Sequence, residues 1–285
     1  MVSRLVLEYD GSRFSGWAQQ PGLRTVAAEV ERALCVILRL ENVSLVVAGR
    51  TDAGVHAWGQ VASYVGPPVS VRSVNSVLPD DVAVLSCVAA DDGFDARRDA
   101  TSRAYCYRIL LRRPRSAFEQ GRALWWPRRL EFPPLAACAR ALVGTHDFTA
   151  FTPTETYHER FSRDVFAASW RWGGGAGDGM GGRSLLGLGG GSSAVGSSAV
   201  GGDPRAADPG GAHILEFWIE ADAFMRQMIR VLIGTMLEVG GGRRSASSFV
   251  ELLAGRPRSE AGGTAPAHGL YLAGVGYGGE RVLSV

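Results

Sequence analysis

The stretch from Asp222 to Gly240 limits the folds open to this chain more than any other. Read at 3.6 residues per turn, it is apolar on nearly every face, the mark of a helix enclosed by other layers rather than laid on a surface. A predicted helix over Ala223 to Val239 therefore requires partners on all sides. It also carries Arg226 and Arg230, four residues apart and so on one side. Enclosing a guanidinium is costly unless a carboxylate or phosphate meets it. Asp222 is placed to pair with Arg226 one turn away. Arg230 has no acid one turn before it and Gly234 one turn after, so it needs a distant acid or an anionic ligand.

Layers that could enclose such a helix are legible in the rest of the chain. Leu5 to Tyr9 alternates as a strand, and a helix follows with Thr25 as N-cap and Val26, Val30, Leu34 and Ile37 on one face. Strands are predicted at 43–48 and 59–65, a short helix at 69–77 and a strand at 82–89. That order is β-α-β-β-α-β, the ferredoxin-like arrangement. It recurs as strands at 104–111, 165–172, 214–221 and 270–277, with helices from Pro133 or Pro134 to Val143, over 223–239 and over 246–253. The expectation is an α+β protein of two ferredoxin-like halves, 1–100 and 101–285, whose antiparallel sheets join at their edges. Residues 173–212 interrupt the second half. From Gly173 to Gly211 the chain is mostly glycine and serine, too poor in large side chains to offset its ordering entropy, and reads as a flexible insertion at a hairpin tip. A glycine-rich nucleic-acid tail is the alternative, with Arg183 and Arg205 as its only arginines.

The charge balance of +2 decides nothing, but its chemistry does: all 30 basic residues are arginine. Schiff-base catalysis and a P-loop lysine are thereby excluded, while arginine suits bidentate phosphate contacts and base stacking. Cys35, Cys87, Cys106 and Cys138 form no Cys-x-x-Cys pair, and the five histidines form no His-x-x-x-His pair. Free thiols in a reducing compartment and no metal site are expected. The start of the chain reads as a strand rather than a signal peptide, and no apolar run is long enough for a bilayer, so a soluble, cytoplasmic protein is expected.

Chemistry concentrates between two apolar, strand-like pieces, in Gly49-Arg50-Thr51-Asp52-Ala53-Gly54-Val55-His56-Ala57-Trp58-Gly59-Gln60. Glycines let a backbone turn tightly, and an aspartate at such a place can simply cap its own turn. Arg50, His56 and Gln60 supply more hydrogen-bonding groups than a turn needs, which marks Asp52 as a reactive carboxylate and the most attractive partner for Arg230. On a strand, Arg103, Tyr105 and Tyr107 share one face by the two-residue period. An aromatic stripe of this kind is ordinarily core, but an arginine beside it favours a ligand-facing surface, where tyrosine can stack on a base and exchange a proton. An acid, an arginine and a tyrosine fit attack or proton removal at a sugar carbon. Hydrolysis by paired carboxylates would need a second acid, for which Glu8 and Asp10 are the candidates.

These segments, in their order, closely resemble the bacterial tRNA pseudouridine synthase A family. The matching pieces are Tyr9-Asp-Gly-Ser-Arg-Phe-Ser-Gly-Trp17, Arg24-Thr-Val26, Gly49 to Gln60, Asn75-Ser-Val-Leu-Pro79, Phe94-Asp-Ala-Arg97, Arg103-Ala-Tyr-Cys-Tyr107, Gly144-Thr-His-Asp-Phe148, Phe224 to Gly240 and Ala265-Pro-Ala-His-Gly-Leu-Tyr-Leu272. They span almost the whole chain outside the insertion. The resemblance implies the pseudouridine synthase fold and conversion of uridine to pseudouridine at about positions 38, 39 and 40 of tRNA, without metal or cofactor. It further implies a homodimer that clamps the anticodon stem-loop. Asp52 would be the catalytic nucleophile or base, Tyr105 would stack on the base and take the C5 proton, and Arg230 would pair with Asp52. Arg50 would meet a phosphate beside the flipped nucleotide, with Arg24, Arg97 and Arg103 as further backbone contacts. This sequence departs from the family in Gln227, where histidine is frequent, in Thr152, where cysteine is common, and in the stretch Thr154 to Ser162 with His158 and Glu159. A non-catalytic RNA-binding module that kept the cleft is the competing expectation.

Overall fold

Thr25 ends an extended approach, and its hydroxyl accepts a hydrogen bond from the Ala28 amide, starting helix α1 (Val26–Leu38). The helix buries Val26, Val30, Ala33 and Leu34 and closes on Arg39 in the left-handed conformation. The computed structural model describes residues 1–156, 159–173 and 213–283. Around α1 stand β1 (Val2–Tyr9), β2 (Val46–Val47), β3 (His56–Val65), α2 (Val71–Asn75) and β4 (Val82–Ala90). The later chain adds β5 (Ala100–Leu110), β6 (Leu124–Trp125), α3 (Phe132–Leu142), β7 (Gly144–Asp147), β8 (Ser162–Gly173), β9 (Ile214–Ala221), α4 (Met228–Gly240), α5 (Ala246–Leu252) and β10 (Leu270–Tyr277).

All ten strands belong to one mixed sheet in the order β4-β1-β3-β10-β5-β9-β8-β7, with β2 on β3 and β6 on β5. Pairing is antiparallel along this path except where β3 meets β10. There the register is short and parallel, Tyr271 opposite His56 and Leu272 opposite Ala57. The earlier and later strands are thus fused through a contact only two residues long. One large apolar core lines the helix-bearing face, running from Leu5, Leu7 and Leu34 through Tyr105 and Tyr107 to Phe217, Leu232 and Phe249.

The apolar helix is enclosed as its composition requires: ten of the 13 residues of α4 are buried. Its start differs from the periodicity, at Met228 rather than Ala223. Gln227 adopts a left-handed backbone (φ 58°), and Met228 donates to the Met225 carbonyl in a turn ahead of the helix. Arg226 consequently lies exposed before α4, not on a helical face with Arg230. The Asp222 carboxylate is turned instead to the Asp164 amide, at 3.1 Å. β2 is shorter than the predicted 43–48, and β3 begins at His56 rather than Gly59 because its first residues find a partner in β10, a pairing remote in sequence. β6 and β7, of two and four residues, are too short to show a period. Gly173 pairs with Ile214 at the end of the β8–β9 hairpin, so the two ends of the insertion meet. The expectations for residues 174–212, Arg183 and Arg205 included, lie outside the described residues. Among the described residues no helix is long and apolar enough to cross a membrane.

Against Gly234 of α4 runs the backbone of Gly263, so near that a Cβ would stand 1.7 Å from its carbonyl oxygen. Main chain cannot yield as a flexible side chain can. Gly234→Ala should therefore cost at least about 1–3 kcal/mol of stability, the range for overpacking, seen as a lower urea midpoint. An unchanged midpoint would mean that α4 and residues 262–265 are not packed this closely.

Candidate active site

The segment Ala48 to Val55 carries the candidate acid and is fastened almost wholly through its backbone. The Trp17 amide donates to the Thr51 carbonyl (3.0 Å), Gly54 donates to the Phe14 carbonyl (3.3 Å), and Val55 closes a turn on the Asp52 carbonyl (3.1 Å). Gly16 lies against this turn with φ +95°, and a Cβ there would press on the Thr51 oxygen at 2.9 Å. A residue with a side chain would meet both the strain of that backbone and the clash. The supporting residues are themselves tied to α1, since Val26 and Ala27 donate to the carbonyls of Gly16 and Trp17. From the sheet, Gln60 donates to the Gly49 carbonyl (2.8 Å) and to the Tyr9 hydroxyl (3.3 Å). That hydroxyl shares a 2.8 Å hydrogen bond with Thr51 Oγ1. Burial, the largest influence, pushes the Tyr9 phenol up to about 12 against the opposing hydrogen bonds from Thr51 and Gln60.

With its backbone held, Asp52 presents its carboxylate, one-third exposed, to Arg230 in the first turn of α4, with Nη1 to Oδ2 at 3.5 Å. This is an ion-pair contact rather than a tight bidentate fork, leaving Asp52 hydrogen-bonding capacity to spare. Arg230 is held from the other side. Its Nε donates to the Ala265 carbonyl at 2.7 Å, and the Ala265 amide donates to the Arg230 carbonyl at 2.9 Å. Tyr105 of β5 sits beside them, its hydroxyl directed at Gly49, where an added Cβ would lie 3.7 Å away. Phe224 meets the Tyr105 ring edge-on at 5.2 Å between centroids. Burial first, then Tyr9, with Asp52 adding to it, keeps the Tyr105 phenol protonated well above the ordinary range, against the lowering influence of Arg103.

Asp52, Tyr105 and Arg230 thus converge from a loop, a strand and a helix far apart in sequence. The four other arginines separate into two kinds. Arg50 and Arg97 have exposed side chains. Arg24, one-third exposed, is committed to the protein's own groups, forked onto Asp81 (2.7 and 2.8 Å), bonded to Glu29 (3.1 Å) and lying 4.2 Å over the Phe14 ring. Arg103 gives its donors to main-chain carbonyls (Ala48, Arg97, Ala100 and Asp222). Neither Arg24 nor Arg103 has a free fork to offer a phosphate in this arrangement. Of the acids considered as a second carboxylate, Glu8 is exposed, and Asp10 caps the Ser12 amide at 3.0 Å.

His56 has a structural place that its position near Asp52 did not reveal. Its Nδ1 accepts from the Gly11 amide (3.0 Å), its Nε2 lies 3.1 Å from the His268 carbonyl, and its ring stacks on Tyr271. An acceptor at Nδ1 and a carbonyl at Nε2 fix a neutral ring protonated on Nε2. Burial, the dominant influence, lowers the His56 pKa, opposed by Asp10 at 3.2 Å. The family departures are mild where they can be seen. Thr152 is buried and satisfied by the Phe148 carbonyl and Met225 sulfur, Gln227 precedes α4, and Glu159 is exposed. His158 lies outside the described residues. The support given by Tyr9, Gly16 and Phe224 was missed, although Tyr9 and Gly16 fall within a polar, glycine-bearing stretch that no amphipathic element explains.

Residues 138–278 match the family described as tRNA pseudouridine synthase. A tRNA pseudouridine synthase A of Frankia casuarinae is 40% identical over 284 residues, covering 96% of this chain and 88% of that protein. Those of Myxococcus xanthus and Bacillus pumilus are 36% and 33% identical and cover 96% and 97% of this chain, and 91% and 99% of their own lengths. The chain belongs to the tRNA pseudouridine synthase A family, and by that membership it is an isomerase.

The lowered proton affinity of His56 has a signed consequence. The unfolded chain binds a proton at this residue below about pH 6.5, whereas the folded protein resists it. His56 therefore contributes stability above that pH and loses the contribution as pH falls through its folded value. His268, lowered by burial and then by Arg230, acts in the same direction. Urea midpoints measured from pH 7 to pH 5 should fall, and should fall less steeply in His56→Gln. Parallel pH dependences in the two proteins would sink this account.

Proposed function

We propose that this protein isomerises uridine to pseudouridine in the anticodon stem-loop of tRNA, at about positions 38, 39 and 40, with Asp52 as the carboxylate that acts on the sugar. The observation that carries the reading is Asp52 itself, in a loop held by backbone bonds at Thr51, Asp52 and Gly54, while its side chain faces Arg230 and the neighbourhood of Tyr105. The target nucleotide would leave the stack to reach it. Isomerisation breaks the N1–C1′ bond, turns the uracil and joins C5 to C1′, with the C5 proton released and N1 taking up a proton. Asp52 either attacks C1′ to give a glycosyl ester or removes a C2′ proton to give a glycal. Arg230, 3.5 Å from the carboxylate, orients it in both. Tyr105 stacks on the base and takes part in transfer of the C5 proton.

Arg50 and Arg97, exposed in this arrangement, are the arginines suited to backbone phosphates. We read the two sets of strands as ferredoxin-like halves, 1–100 and 101–285. In support, β4-β1-β3-β2 and β10-β5-β9-β8 run in the same spatial order relative to their chain order. A cytoplasmic homodimer gripping one stem-loop between subunits completes the reading.

Tritium release from tRNA labelled at uridine C5 tests it. The wild-type protein should release tritium, and Asp52→Ala should release none above background. The loop's bonds are mostly main-chain, so its backbone should hold in this variant, while the loss of the counter-charge of Arg230 should show as a lower urea midpoint. Free uracil as product, or release unaffected by Asp52→Ala, would overturn the proposal. Tyr105→Phe keeps the ring and removes the hydroxyl, and should slow release by on the order of 10²–10⁴-fold, the usual reach of general acid–base catalysis. Arg50→Gln should weaken tRNA binding and make the slope of log K against log salt shallower by about one. An unchanged slope would remove Arg50 from the phosphate contacts.

A further inference from the structure

Arg103 emanates from β5 two residues before Tyr105 and on the same face, where the surroundings provide it no carboxylate at hydrogen-bonding distance among the described residues. Its guanidinium is part-buried, and burial lowers its pKa, opposed by Tyr105, Tyr277 and Asp222 and reinforced by Arg97. A cation left this way is costly unless every donor finds an acceptor. All five do. Nε and Nη2 reach the Ala48 carbonyl at 3.2 and 2.9 Å, and Nη2 also reaches that of Arg97 at 2.9 Å. Nη1 reaches the carbonyls of Ala100 at 3.1 Å and Asp222 at 2.9 Å.

Two of these acceptors stand directly ahead of the catalytic segments. Ala48 ends the strand side of the loop, one residue before Gly49 and four before Asp52, and its amide is fixed to the Val61 carbonyl at 2.9 Å. Asp222 comes after β9 and opens the segment that carries Phe224 and then α4 with Arg230. The guanidinium plane therefore fastens the Asp52 loop, the Tyr105 strand and the Phe224 segment to one rigid centre. It adds nothing to the site that could touch a substrate through a free donor.

We propose that Arg103 is a positioning residue for the isomerisation: it sets the placement of the Asp52 loop and the Phe224 segment about Tyr105, and acts on the chemical step rather than on RNA affinity. Lysine at this position keeps the charge but has three donors on a flexible stem and cannot bridge four carbonyls in a plane. The loop would keep its other bonds and shift slightly. A displacement of about 1 Å in a catalytic group can cost on the order of 10²-fold in rate.

The inference rests on the uridine isomerase reading, and the wild-type protein tests that reading separately: without wild-type tritium release the reading itself fails. Given release, Arg103→Lys and Arg103→Gln are compared with wild type in single-turnover tritium release and in tRNA binding at several salt concentrations. Both are measured at a temperature where near-UV circular dichroism shows the variants fully folded. The expected result is a fall of about 10²-fold in the single-turnover rate of Arg103→Lys, with the tRNA Kd and its salt slope as in wild type. A Kd that weakens with a shallower salt slope would make Arg103 a phosphate contact and overturn the proposal. An unchanged rate would overturn it as well. Failure of both variants to fold at any temperature would assign Arg103 to the fold rather than to the site, and would equally reject it.

Discussion

The ion pair between Asp52 and Arg230 joins two parts of the chain that have separate reasons to exist. Arg230 is imposed by neither helix propensity nor packing. It stands in the first turn of a helix otherwise built of buried apolar residues, where a guanidinium is a liability. Asp52 is held on a loop that its backbone alone would satisfy. Their contact at 3.5 Å gives the cation a counter-charge and the carboxylate a fixed direction. It also demands that the strands bearing each side be fused in a fixed relation, which the short parallel register of β3 with β10 provides. Arg230 is bonded in addition to Ala265, shortly before β10 begins, so the same junction that fuses the sheet places the cation.

What could be read from the sequence depended on whether its cause was local. Thr25 capping α1 and the alternation in β9 and β10 are local matters, and those elements lie where the periodicity places them. The start of β3 is not local: His56 is a strand residue because Tyr271, more than two hundred positions later, pairs with it. The start of α4 failed for another reason. Apolar periodicity continues back through Phe224 and Met225, but Gln227 takes a left-handed backbone and Asp222 is bonded to β8 and to Arg103 instead of heading a helix. The resulting turn exposes Arg226 and leaves Arg230 as the arginine that faces the site.

The candidate site was legible to the extent that its residue types were unusual for their setting. An acid within a glycine-bearing loop, and an arginine in an apolar helix, each conflict with the simplest structural reading, and the structure brings the two together. Residues whose function is support gave no such conflict. Gly16 is informative only once its backbone is seen against Thr51, and His56, which looks chemical in sequence, is a neutral ring wedged between the Gly11 amide and the His268 carbonyl. Sequence reasoning is thus better at locating reactive groups than at separating them from the residues that hold them.

That separation is sharpest among the arginines, because a chain without lysine must use one side chain for every cationic task. The planar guanidinium can grip a phosphate, a carboxylate or several carbonyls, and the sequence does not distinguish these uses. The acceptors do. Where internal acceptors engage the fork, as Asp81 and Glu29 do for Arg24 and four carbonyls do for Arg103, the arginine belongs to the framework. Where the fork is exposed close to the acid in sequence, as at Arg50, the charge remains available to a polyanion. A modest net charge of +2 therefore understates the capacity for RNA, because the relevant quantity is not how many arginines the chain has but how many its own oxygens leave unused.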